Sequence, residues 1–209
     1  MSLVLLLIVG YLLGSLNFSI IFTKIFANTD VRNHGSGNAG FTNTLRTAGK
    51  KVAILVFICD ALKAIAAILV AVFVEKYFPF DNLVAYGKYA ASLGAVLGHN
   101  FPLYFGFKGG KGIVVSIAII FSLNWITGLF VLGMFLVMFL LTGYVSLGSL
   151  VGAVTTAVAT AVMYVFNINN TDAVQLVLMI ILAILAFYMH RANIKRLLNG
   201  TESSFKKKK

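Results

Sequence analysis

The sequence predicts an all-α integral membrane protein with seven transmembrane helices, some short or broken, the amino terminus outside and the carboxyl terminus cytoplasmic. Three observations carry that prediction. Of 209 residues, 60% are hydrophobic and only 11% charged, against about 25% charged in soluble domains. Gly112 to Thr171 is a run of 60 residues without Asp, Glu, Lys or Arg, room for up to three helices at about 20 residues each. Lysines and arginines also crowd alternate loops. Those expected inside hold Lys24, Arg32, Arg46, Lys50, Lys51, Lys108, Lys111, Arg191, Lys195 and Arg196, whereas those outside hold only Lys76 and Lys88.

The expected crossings lie near 2–23, 52–74, 86–99, 113–124, 126–142, 147–167 and 173–190. The first is uncharged from Met1 to Thr23 and lacks the basic leader and cleavage pattern of a signal peptide, so it reads as a retained helix. The second carries Asp60 and Lys63 at bilayer depth, where ionisable groups are costly and face a partner or a cavity. They read as a mutually neutralising structural pair; alternatively, Asp60 orients a site arginine or a substrate hydroxyl. The third and fourth crossings are short, interrupted by Gly98, Pro102 and a glycine loop. Such backbone survives at membrane depth only where protein or a wet cavity covers it. Residues 1–209 read as a single polytopic domain, and the recurrence of Leu-Gly-Ser-Leu at 13–16 and 147–150 is near chance. Lys206 to Lys209 form a basic tail, either an appended remnant or lipid-facing; without it the formal charge of +11 becomes 11 − 4 = +7. The basic residues flank spans, so topology explains them and nucleic-acid binding is not expected. Cys59 has no cysteine partner.

Three expected cytoplasmic segments carry the candidate chemistry. The first, Arg32 to Arg46, contains Gly35-Ser-Gly-Asn-Ala-Gly40. That matches a dinucleotide fingerprint in spacing but lacks the strand and βαβ unit the fingerprint needs. Two arginines within fifteen residues suit forked contacts to phosphate oxygens better than a plain connector does. The second runs from Gly98 to Gly112 and ends Phe107-Lys-Gly-Gly-Lys-Gly112. It lacks the Walker spacing, yet its bare amides and two lysines suit an anion, with Lys111 near a helix start. His99 reads either as a general base or as a satisfied helix-end histidine, and Lys108 equally as an inside anchor. The third closes the last span as His190-Arg-Ala-Asn193 through Arg196 to Glu202, with His190 and Asn193 expected on one helix face. No zinc-type Cys/His spacing, two-metal carboxylate set or Ser-His-Asp set is evident.

Together these motifs resemble the bacterial acyl-phosphate:glycerol-3-phosphate acyltransferases (the PlsY family) over nearly the whole chain. Two positions depart from the usual pattern: Phe41 stands where a small residue is usual, and Ile113-Val114-Val115 replaces a run usually containing Ala and Thr. The resemblance implies transfer of a fatty acyl group from acyl-phosphate to the 1-hydroxyl of sn-glycerol 3-phosphate, giving lysophosphatidic acid and phosphate in phospholipid biosynthesis. It implies no cofactor and no metal, and a multi-pass location in the bacterial inner membrane with the site facing the cytoplasm. Residues and resemblance together assign catalysis to Ser36, Arg46, Lys111, His190 and Asn193. Substrate binding falls to Gly35, Gly37, Asn38, Gly40, Thr42, Asn43, Asp60, Lys63, His99, Lys108, Gly109, Gly110 and Gly112, with Ser146 and Ser149 as weaker candidates. The alternative is a membrane transporter for phosphate or a phosphorylated metabolite, built on broken helices; its weakness is that the polar motifs crowd one side.

Overall fold

Helix α1 (Ser2–Gly14) is apolar almost throughout and stops where Ser15, Leu16 and Asn17 interrupt the run. Asn17 caps α2 (Phe18–Ala27) by accepting from the Ile20 N–H at 3.1 Å. The computed structural model describes residues 1–79 and 81–206; Lys207 to Lys209 of the expected basic tail lie outside them. The expected crossing at 2–23 is therefore a broken one, a difference made by a single capping side chain.

Helix α3 (Phe41–Tyr77) contains a break at Gly49, whose φ of 80° and ψ of 177° leave the helical region. Residues 41–48 form a short helix ahead of the long apolar one. This corrects the reading of the segment from Arg32 to Arg46 as loop: Phe41 to Arg46 is helical, and its polar Asn43 and Thr44 are buried. Asp81 in the following turn accepts from the Met1 amino group and from the Ser2 N–H and hydroxyl, at 3.2, 3.2 and 2.6 Å.

Helix α4 (Gly87–Asn100) packs on α1 through small residues. Gly10 and Gly14 of α1 touch the Ala91 and Ala95 backbone, while Gly94 and Gly98 of α4 touch the backbone at Leu7, Tyr11 and Ser15. Close approach of this kind replaces the hydrophobic effect as the packing force in lipid. After a glycine-rich loop come α5 (Ile113–Leu123), α6 (Trp125–Thr142), α7 (Val145–Val165), α8 (Ala173–Met189) and α9 (Arg191–Leu198). Asn124 and Asp172 cap α6 and α8 by accepting from Thr127 and Gln175 N–H groups, 3.1 and 2.7 Å away. The chain divides within α5 into two compact units, Met1–Ile119 and the part from Ile120 onward.

No strand occurs among the described residues. Four segments are long and apolar enough to cross a bilayer: Ser2–Ala27, Phe41–Tyr77, Trp125–Thr142 and Val145–Val165. A fifth arises if α8 and α9, bent by 58°, count as one span. At 14 and 11 residues, α4 and α5 reach only about 21 and 17 Å, against a hydrocarbon core of about 30 Å. The chain is an all-helical integral membrane protein.

Candidate functional site

In the first unit the two glycine-bearing loops join. The loop between α2 and α3 is organised by Asn43, which is almost fully buried. Its Oδ1 accepts from the Ser36 N–H at 3.0 Å, and its Nδ2 donates to the Val31 and His34 carbonyls, both at 2.9 Å. Expected as a substrate contact, Asn43 instead has its amide committed to the loop that presents exposed Ser36. Arg32, counted from sequence as an anion contact, is likewise occupied. It pairs with Asp30 at 2.7 Å, and its Nη1 donates to the Phe105 and Lys108 carbonyls at 2.8 and 3.3 Å. The Arg32 hydrogen bond holds the Asp30 carboxyl below its ordinary value.

The loop between α4 and α5 turns sharply at Gly106 and Phe107, both left-handed with φ of 66° and 59°. It then runs back along the end of α4. There Gly109 N–H donates to the Asn100 carbonyl at 3.2 Å and Gly110 N–H to the His99 carbonyl at 3.0 Å. Ala39 N–H donates to Gly109 O at 3.4 Å, tying this loop to the first. Gly110 lies between the His99 ring and the Ala39 carbonyl with no room for a methyl group. Lys111 lies two residues before the first residue of α5, near a helix start as expected, and Lys108 is exposed. Gly40 caps α3 without a side-chain bond, so backbone alone stands at that helix start. Gly35, Gly37, Asn38 and Thr42 lie along the same first loop and helix start, with Arg46 exposed within α3.

Beneath the loops, Asp60, Lys63 and His99 are 1, 5 and 3% exposed. Lys63 Nζ lies 2.8 Å from Asp60 Oδ1 and 3.1 Å from His99 Nδ1, and donates to the Leu16 carbonyl at 2.7 Å. The expected i,i+3 pair is present, and a histidine from another helix joins it.

The second unit holds Ser146, Ser149, His190 and Asn193. His190 ends α8 at the bend, so it and Asn193 do not share one continuous helix, because α9 starts anew at Arg191. His190 Nδ1 lies 2.7 Å from the Ala186 carbonyl. A carbonyl only accepts, so Nδ1 carries the proton and Nε2 is the basic nitrogen. Ser149 donates to Val145 within its own helix. Glu202, not among the expected site residues, is the hub here. It accepts from Ser146 Oγ at 2.7 Å, Asn193 Nδ2 at 2.6 Å and Arg196 Nε at 2.6 Å. Its place at the end of the segment from His190 to Glu202 was the signal for it, since its donors come from separate segments.

Burial pushes the Glu202 carboxyl up, but the Ser146, Asn193 and Arg196 bonds outweigh it and leave its value below the ordinary 4.5. The unfolded chain therefore binds this proton at higher pH than the folded one. The stability from Glu202 is complete above about 4.5 and lost as pH falls through the lowered value. Glu202→Gln should cost roughly 2–3 kcal/mol at neutral pH, because one of three donors then faces an amide NH2. Thermal unfolding at pH 7 and below pH 4 checks both parts: the gap between wild type and variant closes in acid.

The chain is similar to known proteins over nearly its whole length. A family model described as Glycerol-3-phosphate acyltransferase matches residues 4–200. A glycerol-3-phosphate acyltransferase of Thermoanaerobacter sp. (strain X514) is 42% identical over 201 residues, 96% of this chain and 94% of the relative. One from Clostridioides difficile (strain 630) is 39% identical over 208 residues, 100% of this chain and 98% of the relative. Among solved structures, PlsY, an integral membrane glycerol 3-phosphate acyltransferase, matches in its glycerol 3-phosphate form with a TM-score of 0.84 and 38% identity, covering 99% of this chain and 96% of that one. Its lysophosphatidic acid form matches with a TM-score of 0.81 and 36% identity over the same shares. With its glycine loops joined in an all-helical membrane fold, the chain belongs to the glycerol-3-phosphate acyltransferase family.

Proposed function

We propose that the protein moves a fatty acyl group from an acyl-phosphate to the 1-hydroxyl of sn-glycerol 3-phosphate. The observation that carries this reading is the joining of the loops at 28–40 and 101–112 through Ala39–Gly109 and Arg32. It supports the reading because glycine amides, Ser36 and two lysines then belong to one pair of joined loops, and both substrates carry phosphate. In the first unit Ser36, Asn38, Arg46 and Lys111 contact phosphate, with Lys108 as a further cation on the same loops. The basic loops support seven crossings with the amino terminus outside, so the site faces the cytoplasm of the bacterial inner membrane.

An acyl-phosphate is an activated mixed anhydride, so positioning and charge stabilisation can supply most of the catalysis. The hydroxyl oxygen attacks the acyl carbon, the bond from that carbon to the phosphate oxygen breaks, and phosphate leaves. A phosphate oxygen takes the hydroxyl proton. His99 is poorly placed as the competing base, because its Nδ1 faces the Lys63 ammonium; His190 Nε2 is the alternative acceptor.

The test mixes purified protein with glycerol 3-phosphate and palmitoyl-phosphate, with palmitoyl-CoA as parallel donor, and follows phosphate or CoA release. Release from palmitoyl-phosphate that requires glycerol 3-phosphate is expected, and Lys111→Ala should lower kcat/KM by about 10²–10³-fold. Release from the CoA donor alone would overturn the acyl-phosphate reading. Turnover retained in His190→Ala at saturating substrate would leave the proton with the substrate phosphate.

A further inference from the structure

An ammonium has three donors and no acceptor, and burial in a bilayer is tolerable only if each donor is used. Lys63 donates to the Leu16 carbonyl and to His99 Nδ1, and pairs its charge with Asp60 at 2.8 Å. The Leu16 carbonyl is available because of the α1–α2 break. In an unbroken helix it would accept from Ile20, but Asn17 Oδ1 takes that N–H. One side chain thus ties the break in the first crossing to α3 and to the end of α4.

The connection continues into the glycine loop. Because Nδ1 of His99 accepts from Lys63, the ring proton sits on Nε2, and Nε2 is the atom that closes off the space at Gly110. The His99 carbonyl accepts from the Gly110 N–H, and on the other side stands the Ala39 carbonyl, itself held by Asn17 Nδ2 at 3.3 Å. Stability alone does not account for such a cluster, since replacing a buried ion pair by apolar residues of similar volume is often neutral or favourable. Apolar residues would fill the space but would not orient an imidazole.

We propose that Lys63 is a positioning residue for the substrate phosphate. Acting through His99, it fixes the Gly109–Gly110 backbone against Ala39 and so sets where the loop presents its amides and lysines. Lys63 itself touches no substrate, and Asp60 is its ion-pair partner. This inference rests on the reading of the glycine loop as a phosphate cradle.

The test compares Asp60→Leu/Lys63→Met, His99→Phe and the triple variant with wild type. It measures Tm, the KM of each phosphate substrate, kcat, and binding of glycerol 3-phosphate without any donor. The double variant leaves no unpaired charge, so it should stay folded with an unchanged Tm. One KM should rise about tenfold, the scale of a lost polar contact, with kcat changed far less. A rise for glycerol 3-phosphate places the acceptor's phosphate on the loop; a rise for acyl-phosphate places the donor's there. His99→Phe should show the same shift, and the triple variant no further one, since both changes act through a single ring. A folded double variant with wild-type KM values for both substrates would show that the pair only neutralises itself, overturning the proposal. If the double variant does not fold, folded His99→Phe decides in the same two ways. Weakened glycerol 3-phosphate binding in a protein that rejects acyl-phosphate would keep the positioning role and remove only the donor reading.

Discussion

Gly110→Ala is expected to lower kcat/KM by about a hundredfold or more while leaving the protein folded in the membrane. The cause is space. A methyl group there would collide with His99 Nε2, lie 2.6 Å from the Ala39 carbonyl oxygen and 3.0 Å from His99 Cδ2. Neither wall yields easily: Lys63 holds the ring from behind, and the Ala39 carbonyl belongs to backbone tied to Gly109 and Asn17. The loop must therefore move, carrying Lys108 and Lys111 with it, and a displacement of about 1 Å at a positioning element costs on the order of 10²-fold. Gly133→Ala is the matched control, because nothing lies within 4 Å of a methyl group there. Steady-state kinetics on both variants checks the prediction; near-normal kcat/KM in Gly110→Ala would mean that the loop's position does not govern the reaction.

The parts of the fold legible in the sequence were those set locally. Spans expected at 126–142, 147–167 and 173–190 correspond to Trp125–Thr142, Val145–Val165 and Ala173–Met189. Apolar runs there are bounded by Asn124, Gly143 and Asp172, whose capping roles depend on neighbouring residues. The break at Ser15–Asn17 was not legible, because two polar side chains in an apolar run look like ordinary interior residues until one of them caps. Residues 41–48 hid for the opposite reason: their polar composition reads as loop although their backbone is helical. At the site, glycines and cations marked both loops, and the i,i+3 spacing marked Asp60 with Lys63. What joined His99 to them was a contact across 36 residues, which no local pattern encodes. Asn43 and Arg32 show the same limit in reverse. Their side chains suit a ligand, and the fold spends both on backbone carbonyls, Asn43 within its own loop and Arg32 on the loop after α4.

Gly94→Ala is expected to lower the unfolding midpoint by about 10 °C and to cut the yield of folded protein, against the sign that helix propensity gives. Propensity favours alanine over glycine inside a helix by about 0.8–1 kcal/mol. The opposing contact is larger. A methyl group at Gly94 would overlap the Leu7 carbonyl oxygen and stand 2.8 Å from the Tyr11 nitrogen and 3.1 Å from the Leu7 carbonyl carbon, all backbone with no side chain able to swing away. Relief requires α1 and α4 to separate, and the same seam is closed by Gly10, Gly14 and Gly98, so contact is lost along its whole length. In lipid that packing has no hydrophobic substitute. The consequence reaches the site, because Tyr11 donates to the Phe101 carbonyl at 2.8 Å and Ser15 Oγ accepts from Leu103 N–H at 3.2 Å. The loop after α4 thus hangs from α1, and the protein that does fold should bind glycerol 3-phosphate more weakly. Thermal unfolding in detergent and a binding titration on the folded fraction separate the two effects. An unchanged midpoint would mean that the α1–α4 seam opens far enough to take a methyl group without loss, and the backbone contact would then not be what holds the two helices together.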